Sequence, residues 1–396
     1  MPDRPHRRPD LVGPQADPAE EFLRLACLTY GADDPVRWAN ARGLLGTHPG
    51  LGADRVDVAA ACADAEALRR LLAADPAASG AESGPFGWPP LLYLAYARHD
   101  PDVSAEAVRD SVEALLGAGA DPRAGYLWDG HEPAFTALTG AFGEGEGGPG
   151  SQPRHPQWEE LAQTLLEAGA DPNDGQSLYN RMFQADDSHL ELLFRHGLDD
   201  AGELATQLGW AVWHGMEARV RLLLEHSVDP DTEVGGRYGV ARCSAYAAAL
   251  TSGHDAVARR LLGAGASSAL TPEQAVVAAV FTTDAVDAEA LPAAVAARPG
   301  LVAWAAGLGR PDAVRRAVEL GWDVGRRART DVPSDQEWET GLHAAAGRGD
   351  VAMVELLLDL GADPTVSDAR FQGTPAQWAA HSGHADVAAL LSDRSG

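Results

Sequence analysis

The 396-residue chain contains no lysine and no isoleucine, so all 31 of its strongly basic side chains are arginines. Both missing residues are encoded by A- or T-rich codons, which points to a G+C-rich, bacterial gene. Cysteine is scarce: Cys27, Cys62 and Cys243 are widely scattered through alanine-rich stretches. An odd, dispersed set argues against a disulfide framework and fits buried free thiols in a reducing compartment. There is no CxxC pair, so a structural zinc is not expected, and no metal or cofactor is anticipated. No run approaches the roughly 18 apolar residues of a membrane span. The N-terminus, MPDRPHRRPDLVGPQADP, has basic residues with no apolar segment behind them, unlike a secretory signal. The expected location is the cytoplasm.

Catalytic signatures are missing too: there is no HExxH, GxSxG or P-loop pattern. A formal GxGxxG runs from Gly143 to Gly148, but Glu144 and Glu146 would repel phosphate and Pro149 follows. The motif works only between a strand and a helix whose N–H groups face the phosphates, so nucleotide binding is not expected here. A net charge of −27, from 58 acidic and 31 basic residues, opposes duplex nucleic acid and serves solubility.

What is present is a recurring unit. Residues 340–350 read TGLHAAAGRGD and residues 374–384 read TPAQWAAHSGH, with VAMVELLLDLGADP between them and ADVAALLSD after the second. Thr374 can cap a short alanine-rich helix, with Pro375 at its first position. Val351, Val354, Leu357 and Leu358 then form one apolar stripe on a second helix, and Gly361 can stop it in the left-handed conformation. Partial copies of the second half recur as EALLGAGADP (113–122), QTLLEAGADPN (163–173), RLLLEHSVDPD (221–231) and RRLLGAGASS (259–268). Copies of the first half recur as PPLLYLAYARHD (89–100), LGWAVWHGMEA (208–218) and YAAALTSGHDA (246–256).

These residues resemble the ankyrin repeat, a unit of about 33 residues whose signature includes TPLH. The resemblance extends over about residues 20–396. It implies an all-α solenoid of about ten or eleven stacked helix-turn-helix units carrying short hairpin or loop fingers. It also departs from the pattern: after Thr374-Pro375, Gln377 replaces the histidine, and residues 271–300 lack the GADP turn. The expected organisation is a disordered basic tail over 1–18 and a single solenoid over 19–396. The solenoid would be interrupted by a flexible insert at 143–157 and closed by a capping repeat at 373–396. His214, His254, His343 and His384 fall on repeat positions and are expected to be structural.

The segments linking units would form fingers lining a concave side, and they are rich in aromatic residues and arginine. Trp88, Tyr126, Trp128, His131, Arg237, Tyr238, Arg242, Arg327, Trp338, Arg370 and Phe371 are therefore the candidate partner-binding residues. Trp, Tyr and Arg are the types that anchor interfaces. The expected function is a monomeric scaffold that binds a protein or peptide, with neither duplex nucleic acid nor membrane as partner. Two alternatives remain open: a tailoring enzyme using the groove as a pocket, with His131 and Asp129 as candidates, and an accessory partner of a toxin or defence protein.

Overall fold

Polar caps and glycine turns set where the helices begin and end. At Pro375–His381 the Gln377 amide oxygen accepts from the Thr374 N–H at 2.8 Å, while the Thr374 hydroxyl receives the Gln377 N–H, a reciprocal capping box. Thr271 and Gln274 repeat it at Pro272–Phe281. At Gly341–Gly347 a histidine takes the glutamine's place. His343 Nδ1 accepts from the Thr340 N–H at 3.2 Å, which leaves Nε2 to donate to the Gly373 carbonyl at 3.0 Å. Gly361 follows the helix Val351–Asp359 at φ +94°, the left-handed stop that its position predicts.

The computed structural model describes residues 5–282 and 284–394. It is mostly helical and divides into two compact units, Met1–Glu203 and Leu204–Gly396. In the first unit the short helices Pro18–Ala26, Val56–Ala61, Pro90–Tyr96 and Ala137–Phe142 pack successively on one another. Behind them Ala65–Ala74, Ala105–Gly117 and Trp158–Glu167 do the same. In the second unit Leu301–Gly307, Gly341–Gly347 and Pro375–His381 make one row. Each pairs with its own second helix, Pro311–Leu320, Val351–Asp359 and Ala385–Arg394. The seam between helices is filled by Val314, Leu342, Val354, Leu357 and Leu391, all fully buried. Residues 271–300, which lack the usual turn, still supply two helices, Pro272–Phe281 and Leu291–Ala297.

Four expectations need correction. The fold is not purely helical. A three-stranded sheet joins β1 (His6–Arg7), β2 (Gly125–Trp128) and β3 (His131–Thr136), and a two-stranded one joins β4 (Glu233–Val234) and β5 (Cys243–Ser244). The tail expected to be disordered is structured from residue 5 on, whereas residues 1–4 lie outside the described residues. β1 runs parallel to β2, with His6 opposite Leu127 and Arg7 opposite Trp128. The insert expected to be flexible is folded around a buried carboxylate. Glu144 accepts from Arg154 Nε at 3.0 Å and forms an ion pair with the fully buried Arg181. Gly143 permits this turn, because a Cβ there would lie 2.4 Å from the Pro153 carbonyl oxygen. Finally, only Cys27 is buried outright; Cys62 and Cys243 are half-buried free thiols.

Buried arginine and histidine hold the first unit together. Arg98, 5% exposed, donates to the carbonyls of Ala95 (3.0 Å), Ala97 (2.8 Å), Pro153 (2.7 Å) and Gly140, tying the end of one short helix to the insert. Nearby, His99 packs edge-on against Phe22 at 4.9 Å and is buried. Burial pulls its imidazole down to about 4, and pushes that of the adjacent His155 well below the usual histidine range. Both rings are neutral in the native unit, whereas the unfolded chain takes up protons near 6.5. Stability is therefore complete above about pH 6.5 and is lost as the pH falls towards about 4. In urea titrations His99→Phe should show a weaker loss over that window than the parent. The difference should be on the order of 3 kcal/mol at its acid end; parallel pH profiles would show that His99 is not the group responsible.

Candidate partner-binding face and adjoining cleft

The candidate residues separate by unit and by burial. In the first unit Trp88 and Tyr126 are 1% and 0% exposed, so neither can meet a partner. Their rings stack at 5.0 Å within a cluster that includes Phe86, Tyr93, Tyr96 and Phe135. These aromatic residues fold back as core because the finger is short and its rings have apolar neighbours to cover them. Trp128 is half-buried and already occupied. The Arg8 guanidinium lies 4.3 Å from its ring centroid, and its Nε1 donates to the Thr29 carbonyl at 3.2 Å. Arg8 also pairs with Asp129 at 3.0 Å. The N-terminal segment thus covers the aromatic finger of its own unit, and of the candidates there His131 is the exposed one.

In the second unit the candidates converge. Trp338 sits between two guanidinium groups, Arg329 at 3.9 Å and Arg370 at 4.4 Å from its ring centroid. Arg329 also faces Tyr238 at 5.5 Å, and Arg370 faces Phe371 at 5.1 Å. The result is an alternating row, Tyr238, Arg329, Trp338, Arg370, Phe371, drawn from three fingers. Such contacts contribute about 0.5–1 kcal/mol each where exposed. The two cations differ at their edges. Arg329 is saturated, bonded by Nε to Asp331 at 2.8 Å and by Nη1 to Gln336 at 3.0 Å. Arg370 is exposed, and no carboxylate among the described residues lies within 4 Å of it. Arg237 and Arg242 are likewise exposed and without an ion pair. Phe371 is 67% exposed, an unusual exposure for so large an apolar ring. Arg327 is not available in this way, because it spends Nη2 on the Ser367 carbonyl at 2.6 Å, joining one finger to the next.

Asp368 builds the last finger. Its buried carboxylate accepts from the N–H groups of Arg370 (2.8 Å), Phe371 (2.5 Å) and Gly373 (2.8 Å) and from Trp378 Nε1 (3.0 Å). Burial by itself would raise this carboxyl; the hydrogen bonds from Phe371, Trp378, Gly373 and Arg370 override it and hold the group at about 2. Ala369 N–H then reaches the Trp338 carbonyl at 2.8 Å, placing Arg370 over the indole. Sequence reasoning overlooked Arg329 and Asp368. The first lies between the candidates Arg327 and Trp338 but had no visible partner, and the only trace of the second was a carboxylate five residues before a glycine.

Beside this face, residues 239–243, Thr251, Ser252, Thr271, Glu273, Gln274, Val277, Arg298 and Asp335 line a cleft of about 280 Å³, with Trp213 and Ala248 among its apolar walls. Among the described residues no group of three or more His, Cys, Asp or Glu side chains is placed to hold a metal ion. His254 and His343 are structural. His254 Nε2 contacts the Trp213 carbonyl at 2.8 Å, and burial lowers both imidazoles.

A family model for ankyrin repeats, in three copies, matches residues 302–396. The matched stretch coincides with the three helix pairs that present Trp338, Arg370 and Phe371; the helix pairs before it fall outside the match. No curated protein matches the chain.

Replacing the finger's hub should expose its importance. Asp368→Ala strips four donors of their acceptor and should lower stability by about 1–3 kcal/mol in urea unfolding at pH 7. Because the folded carboxyl titrates below its unfolded value of about 3.8, the parent should lose this contribution as the pH falls from about 4 towards 2. An unchanged unfolding midpoint in the variant would show that the finger is held by other contacts.

Proposed function

Because the chain is an ankyrin-repeat protein over residues 302–396, we propose that it is a binding module whose finger face in the second unit captures a protein or peptide. Ankyrin repeats are in general interaction modules, and the fingers that a partner would meet carry Trp338, Arg370 and Phe371. The observation that carries the reading is the pairing of a bare phenylalanine ring with a guanidinium that is stacked but not ion-paired. Stacking fixes the plane of the Arg370 guanidinium and leaves its N–H edge free, a geometry suited to a carboxylate. The partner surface would thus combine an acidic side chain with an apolar one. Against a body of net charge −27, a few unpaired arginines would also orient an acidic partner towards this face. We further propose that the degenerate helix pairs before residue 302 are repeats of the same kind, and that residues 373–396 cap the array.

The test is capture of partners from a native lysate by the full chain, compared with the Arg370→Ala, Phe371→Ala double variant. Both positions are exposed, so helical circular dichroism should be unchanged. Hot-spot truncations cost about 2 kcal/mol or more, so capture should fall at least about tenfold. Equal capture by both proteins would place the interface elsewhere.

A further inference from the structure

The cleft beside the finger face contains two opposite charges that do not neutralise each other. Arg298 lines it and has one long side-chain hydrogen bond, Nη1 to the Thr251 carbonyl at 3.5 Å, with no carboxylate within 4 Å among the described residues. Asp335 lines the same cleft at its exposed rim, and among the described residues it too has no hydrogen bond or ion pair. The two feel each other's field, yet a gap separates them. Burial draws Arg298 down to about 10, still far enough above neutrality to keep it charged.

A second, independent observation points to a missing polar partner. Ser252 forms part of the wall, is 1% exposed, and its hydroxyl has no hydrogen-bond partner. Buried hydroxyls without partners are uncommon, and this one lies just behind the cleft surface, a polar group left unsatisfied in the wall. Trp213, Val240, Ala248 and Val277 form the apolar part of the wall; Thr251, Thr271 and Gln274 are polar, and the exposed Arg242 adds a second cation to the lining. Glu273, at the start of the helix Pro272–Phe281, does not compete for Arg298, because its carboxylate is held by its own N–H and by Thr271. The volume, about 280 Å³, suits a ligand of a few heavy atoms and is too small for a folded partner.

We propose that this cleft binds a free apolar α-amino acid, with its carboxylate on Arg298, its ammonium on Asp335 and its side chain against Trp213, Val240 and Val277. A dipolar ligand bridges the gap between the two protein charges, and an α-amino acid carries its two charged groups on one carbon. A simple carboxylic acid would leave Asp335 unpaired and near its own negative charge; a simple amine would do the same at Arg298. This assignment does not depend on the finger-face reading, because it concerns different side chains and a different ligand.

The experiment uses the full chain with L-leucine, N-acetyl-L-leucine and L-leucinamide as probes. It has two readouts: calorimetric titration, and alkylation of Cys243 by iodoacetamide followed by peptide mass spectrometry. Cys243 lines the cleft and is half-buried, and Cys62, half-buried in the other unit, serves as the internal control. L-leucine should bind and slow alkylation at Cys243 but not at Cys62. Removing either ligand charge should weaken binding at least about tenfold, as should Arg298→Gln and Asp335→Asn. If no probe binds, or if the amide or the N-acetyl derivative binds as well as leucine, the proposal is overturned. The comparison among probes on the parent chain keeps it falsifiable even where a variant fails to fold.

Discussion

The close approach of the first helix of one repeat to the first helix of the next governs the second unit. These helices are built from alanine and glycine, so their backbones can come almost into contact. A Cβ placed on Gly341 would lie 3.0 Å from that of Ala306, and one on Gly300 would collide with Ala328. That spacing brings each finger onto its neighbour. The chain then secures the register through polar groups: His343 to the Gly373 carbonyl, Arg327 to the Ser367 carbonyl, and Arg348 to the Ala306 carbonyl at 2.7 Å. Without that proximity Trp338 could not be flanked by two guanidinium groups drawn from either side.

How much of this the sequence disclosed depends on how local each feature is. The caps at Thr374 and Thr271, the stop at Gly361 and the apolar stripe around Leu357 are all set within a few residues, and all are legible. The aromatic residues of the first unit were not. Trp88 and Tyr126 sit in finger positions, yet whether a ring there faces outward depends on which distant rings can cover it, here Tyr96 and Phe135. The insert was hidden for the same reason. Its glycine-rich composition suggests flexibility, while its order comes from Arg181, which lies 37 positions after Glu144. The N-terminal segment gave no clue that β1 would pair with residues more than a hundred positions away.

The exclusive use of arginine has structural consequences. Arg98 reaches four carbonyls at once, and Arg329 grips Asp331 and Gln336 while stacking on two rings. A planar, five-donor group can do both; an ammonium could supply the charge but neither the fork nor the flat face.

The row from Tyr238 to Phe371 also bears on how such a chain can change over time. Arrays of this kind diversify readily when a whole module is duplicated or lost, provided that each module keeps its recognition surface to itself. Here ring and cation come from different modules: Arg329 and Trp338 share a loop, but Arg370 belongs to the following one and Tyr238 to an earlier one. Deleting or inserting a module between them would strand a guanidinium without its ring. The tail end of this chain is therefore bound to evolve by point substitution, as a block.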